Sequence, residues 1–155
     1  MEFGVFIPGH WMDHGKDAKQ LYEEMLAEAS FADELGFDNV WLAEHYAIDY
    51  IAVPDPLQLA TRIFERTERI KAGVAVLIVR NHHPIKLAAE ISQLDVMFDG
   101  RFEAVLGRGA SGYELRQMQF EMDEASSRRH FNEHLTIMSR LWKSRHAIAH
   151  DGEFF

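Results

Sequence analysis

A chain of 155 residues with 47% hydrophobic and 26% charged residues is about one ordinary globular domain, long enough to bury a real core. Its net charge of −9 opposes binding to nucleic acid or to an anionic membrane surface. No stretch approaches the ~20 uninterrupted apolar residues of a membrane span, and the absence of cysteine excludes disulfides, thiolate metal sites and thiol nucleophiles. The start Met1-Glu2-Phe3-Gly4 has neither the basic nor the apolar region of a signal peptide, so the expectation is a soluble cytoplasmic protein.

Short apolar runs alternate with longer amphipathic stretches. Phe3–Ile7 reads as a strand. Ala18, Leu21, Tyr22, Met25, Ala29, Ala32 and Leu35 then follow the i, i+3, i+4 spacing of one helical face, with Asp17 and Gln20 as a capping box and Gly36 as the stop. Residues 38–42 form a second strand, and Asp55-Pro56 caps a helix running to about Arg66. A third strand spans 70–79. Pro84 starts a helix whose Ile85, Ala88, Ile91, Leu94 and Phe98 share a side, ended by Asp99-Gly100. A fourth strand covers 101–106. The last helix starts near Asp123 and carries Phe131, Leu135, Met138 and Trp142 on one stripe, and residues 151–155 read as a turn leading into another strand.

Four βα units with strands about 30 residues apart require parallel pairing, which suits both an open doubly wound sheet and the start of a (β/α)₈ barrel. A complete barrel takes about 250 residues, so on the barrel reading residues 1–155 are the N-terminal half of one domain, four of its eight βα units. Such a half would leave sheet edges and an apolar interior uncovered, and it is expected to associate.

Three segments could carry chemistry. Gly107-Arg-Gly-Ala-Ser-Gly112 matches G-x-G-x-x-G, but it follows the fourth strand instead of the first and precedes Tyr113-Glu114-Leu115, where no helix is expected. Arg108 between two glycines suits a phosphate, whereas the plainer alternative is a loop that needs left-handed backbone. Glu44-His45 follows the second strand, at the end of the sheet where α/β proteins bind ligands; there His45 suits general acid/base work, with Glu44 to orient it. Trp11, in the first βα loop beside His10, is a candidate substrate contact. His82-His83 and the i, i+4 histidines His130, His134, His146 and His150 form no recognisable metal motif, and the latter four are expected on solvated surface.

Taken together, Phe3-Gly-Val-Phe, Ala32-Asp-Glu-Leu-Gly-Phe-Asp-Asn-Val-Trp-Leu-Ala-Glu-His45, Gly73-Val-Ala-Val-Leu, His83-Pro84 with Leu87-Ala and Leu94-Asp95, Asp99-Gly-Arg-Phe and Gly107-Arg-Gly109 resemble the N-terminal half of the luciferase-like flavin monooxygenases. The resemblance implies a (β/α)₈ barrel, usually dimeric, that holds a flavin at the carboxyl ends of its strands. It further implies reduced FMN supplied by a separate flavin reductase, molecular oxygen, and a small organic substrate. His45 would take part in the oxygen chemistry, and Ala75-Val76 would be a non-prolyl cis peptide lying against the isoalloxazine. Arg108, with Gly107 and Gly109, would sit at the cofactor phosphate. Two alternatives within the resemblance are hydride transfer with the deazaflavin coenzyme F420 and a non-catalytic flavin-binding or dimerisation module.

Overall fold

The computed structural model describes residues 1–13 and 15–155. Strands β1 (Gly4–Ile7), β2 (Asn39–Leu42), β3 (Lys71–Ile78) and β4 (Phe102–Gly107) pair in parallel in chain order. Between them run α1 (Ala18–Leu35), α2 (Pro56–Arg66) and α3 (Pro84–Met97); α4 (Gly112–Gln117) and α5 (Glu124–Lys143) follow β4. The parallel βα order thus matches expectation, with strand ends displaced by a residue or two, and Val79–Asn81 turns into a single 3₁₀ turn after β3.

Alternation along each strand sends Ile7, Val40, Leu42, Ala72, Val74 and Phe102 into one core, where they meet Leu21, Met25, Leu59, Ile63, Leu87 and Met138 from the helices. The opposite face carries Phe6, Trp41, Gly73 and Val105. Trp41 lies flat across this face: a Cβ on Gly4 would stand 3.1 Å from its indole, and one on Gly73 would collide with the ring. Phe6 and Val105 are 53% and 43% exposed, so this face is apolar and uncovered. In a barrel it would be the interior.

The caps explain where the helices begin. Asp17 accepts from the Lys19 N–H and Asp55 from those of Leu57 and Gln58, while Gly36 ends α1 in left-handed backbone at φ 88°. Gln20 does not complete a capping box, because its amide donates to Glu24 instead. Leu35 and Ile85 are exposed, contrary to their place in the expected stripes: each sits in a terminal turn, where the helix is leaving the sheet, and Leu87 takes the core position in α3.

Three other expectations are corrected. Gly112–Gln117 is helical, because Ser111 Oγ caps the Glu114 N–H and the Glu114 side chain is anchored across the sheet end. In α5 the buried stripe is Ser127, His130, His134, Ile137 and Met138, so two of the histidines expected on solvated surface are core residues. Residues 146–155 form no strand. They lie along α5, where the Glu133 carboxylate accepts from His150 Nε2 and from the N–H groups of Glu153, Phe154 and Phe155.

Candidate active site

Every loop that follows a strand opens at the carboxyl edge of the sheet, and three of them are tied together there. The loop after β1 bonds to the loop after β2 through Trp11 N–H to Tyr50 O (2.8 Å) and Ala52 N–H to Gly9 O (3.0 Å). The loop after β2 bonds to α4 through Glu114. This carboxylate, only 4% exposed, lies 3.2 Å from His45 Nδ1 through both oxygens and accepts the Tyr46 N–H at 2.6 Å.

Facing an acceptor, Nδ1 carries the ring hydrogen, which leaves the lone pair on Nε2. The His45 side chain is 32% exposed, so that nitrogen is within reach of a ligand. The orienting acid on His45 is therefore Glu114, which the sequence hides inside an apparent glycine loop 69 positions away.

Glu44 has a different set of partners. Its fully buried carboxylate accepts from the Ile78 N–H (2.6 Å), the Tyr46 hydroxyl (2.8 Å) and His82 Nε2 (2.8 Å). It thereby holds the ends of β2 and β3 and the start of α3 together, and it is His82, not His45, that it orients. Burial, with the nearby Glu44 charge, pushes the Tyr46 phenol pKa well up, so the hydroxyl stays a donor. Tyr46 and His82 also line a cleft of about 510 Å³ between α2 and α3.

The Ala75–Val76 peptide is cis, and the pairing of β3 with β4 slips there: Ala75 faces Val105, and Leu77 faces Leu106. A Cβ on Gly107 would come within 2.6 Å of Val76 Cγ2, so only glycine lets β4 approach this bond. Gly109 is left-handed at φ 77°. Arg108, between them, donates to Glu124 Oε1 at 2.9 Å. Trp11 is half-buried against the core and donates its indole N–H to Lys16 O.

His134 lies behind the site, fully buried, with Nε2 on His82 O at 3.2 Å and Nδ1 without a partner. Protonating Nδ1 would create a buried N–H with no acceptor, and burial accordingly lowers the imidazole pKa from the usual 6.5 to about 4. Between these values the unfolded chain binds more protons than the folded one. The stabilising contribution is thus complete above pH 6.5 and is lost as pH falls through about 4, to a total of about 3 kcal/mol. Urea unfolding near pH 7.5 and near pH 5 should differ by about 2 kcal/mol of this, and His134→Gln should flatten the pH slope.

A parallel βα sheet with a held histidine and a glycine–arginine loop at its carboxyl edge defines an α/β half-barrel. The luciferase-like monooxygenase family matches residues 1–155, and the chain belongs to that family. It is 30% identical over 155 residues to the oxygenase component of the flavin-dependent trigonelline monooxygenase of Acinetobacter baylyi, covering 100% of this chain and 42% of that protein. It is 31% identical over 144 residues to limonene 1,2-monooxygenase of Rhodococcus erythropolis, covering 91% and 36%. Monooxygenase RslO1 of Streptomyces bottropensis superposes over 100% of this chain and 46% of that one, with TM-score 0.89 and 33% identity. The oxygenating constituent of 3,6-diketocamphane monooxygenase of Pseudomonas putida, in complex with FMN, does so with TM-score 0.87 and 26% identity over 100% and 43%. The chain thus spans less than half the length of these relatives. No helix among the described residues is long and apolar enough to cross a membrane.

Proposed function

We propose that residues 1–155 supply the first four βα units of a (β/α)₈ flavin-dependent monooxygenase that uses reduced FMN and molecular oxygen to oxidise a small organic substrate. The observation that carries this reading is the His45–Glu114 pair, which brings the reactive loop after β2 and the glycine–arginine loop after β4 to one end of the sheet. The family's named monooxygenases support it.

FMN, reduced by a separate reductase, supplies the electrons for oxygen activation. The chain's own groups bind it and control protons. Arg108 offers a charge-assisted fork to the phosphate, Gly107 and Gly109 clear the backbone beside it, and Ala75 and Val76 present backbone to the ring system. His45 Nε2, its ring fixed by Glu114, takes or returns the proton that accompanies the oxygen chemistry. Trp11 borders the substrate space. Ile85, Ala89 and Val96 form an exposed small-to-apolar stripe on α3 that supports a homodimer built on that helix. Supply of reduced flavin by a partner enzyme favours the cytoplasm.

Flavin titration and oxygen uptake with reduced FMN test the reading, and the absorbance of the bound cofactor separates FMN from F420. Arg108→Ala should weaken FMN by about 10- to 150-fold, the equivalent of ~1.5–3 kcal/mol, with the fold intact. Unchanged affinity would remove Arg108 from the cofactor site.

A further inference from the structure

Three arginines meet where the end of β4 approaches the start of α5. Glu124, the first residue of α5, accepts through one oxygen from two arginines: Arg108 at 2.9 Å and Arg128 at 2.9 Å. A third arginine lies against the same helix. Arg80, in the turn after β3, is only 7% exposed and donates to Phe120 O at 3.0 Å and to Ser127 Oγ, one turn beyond Glu124.

Arg80 has no carboxylate partner among the described residues. Burial and the positive charge of Arg108 both lower its pKa, while Glu124 opposes them. Asp123, the N-cap of α5, keeps its negative charge while its carboxylate accepts from the N–H and hydroxyl of Ser126, and it makes no ion pair with these three arginines. Arg108 and Arg128 thus share one carboxylate, with the Arg80 charge behind them, at the N-terminus of a 20-residue helix.

Glu124 itself is poorly suited to be a permanent member of this cluster. Its side chain is 63% exposed, so its ion pairs are surface pairs of small strength, and a free rotation moves it into solvent. A carboxylate brings one negative charge, whereas a phosphate monoester brings nearly two, with three acceptor oxygens for forked donors.

We propose that Glu124 is a built-in counter-anion that holds Arg108 and Arg128 together until a phosphate monoester dianion displaces it. The proposal rests on the flavin reading and adds to it a selection step. A ligand must outcompete Glu124 to enter, which a dianionic monoester does and which riboflavin, with no phosphate, does not attempt. A phosphodiester, with one charge, gains less from the exchange. The swap also frees the Glu124 side chain to leave the cluster.

The test measures binding of FMN, riboflavin and inorganic phosphate to the wild-type protein, Glu124→Gln and Glu124→Ser, with intrinsic tryptophan and flavin fluorescence as readouts and thermal unfolding as the control for folding. Both variants should bind FMN and inorganic phosphate about 3- to 10-fold tighter than wild type, with riboflavin unchanged. Phosphate affinity that is unchanged or weaker in both folded variants overturns the proposal, because Glu124 would then be an organiser of the arginines instead of a competitor. Equal tightening of riboflavin also overturns it, since the effect would not act through the phosphate. Tighter phosphate in both variants with FMN bound no better than riboflavin would sink the FMN reading while upholding the anion exchange.

Discussion

Replacing His45 by Ala should reduce turnover by roughly 10²- to 10⁴-fold while FMN affinity stays nearly constant, the behaviour of a lost acid/base group rather than of a lost binding contact. The ring is held on one side only: Nδ1 meets the Glu114 carboxylate at 3.2 Å, and Nε2 has no partner among the described residues. Glu114→Gln tests the pairing separately. The amide keeps the shape but can offer Nδ1 either a donor or an acceptor, so both tautomers become accessible and turnover should fall by about 10- to 100-fold, with recovery in Glu114→Asp if the shorter carboxylate still reaches. Rapid-mixing absorbance in the protein loaded with reduced flavin identifies the step that stalls. Normal turnover in His45→Ala would take the residue out of the mechanism.

The parallel βα order, the caps at Asp17 and Asp55, the helix start at Pro84 and the stop at Gly36 were legible in the chain because each depends on neighbours in sequence. His45 and Arg108 were legible as candidates because strand ends mark the ligand edge of any parallel sheet. Glu114 was not. A six-residue helix that begins at a glycine and follows two others has too few positions to show a period, and what fixes it is a carboxylate bonded to Tyr46 N–H, 68 positions away. The histidines of α5 misled for a related reason. His130 and His134 read as polar, yet both are packed against Phe155, at ring centroid separations of 5.2 and 5.7 Å, and burial holds both pKa values down, which makes them neutral aromatic core residues. Adjacency misled for Glu44 as well: successive residues at the end of a strand point to opposite sides, so the neighbour of a histidine in sequence is poorly placed to be its partner.

That opposite placement makes Glu44 the residue whose loss should cost the fold most. Its carboxylate is wholly buried, and three donors converge on it: the Ile78 N–H, the Tyr46 hydroxyl and His82 Nε2. Glu44→Ala strands all three, two of them in places water reaches poorly, and leaving a buried hydrogen-bonding group unsatisfied costs about 1–3 kcal/mol each. Glu44→Gln should be milder, because its carbonyl still accepts from Ile78 or from Tyr46, although its NH₂ group then faces a donor. Urea unfolding measures the difference between the variants, and a double-mutant cycle with His82→Ala isolates the pair. The functional consequence follows from the Ile78 contact. That bond ties the end of β3 two residues beyond Val76, so a chain that survives Glu44→Gln should bind FMN less tightly even though Glu44 itself does not face the His45 ring. Stability and flavin affinity both equal to wild type in Glu44→Ala would mean that the network is replaced by water at no cost, and Glu44 would lose its place as the fastener of the carboxyl edge.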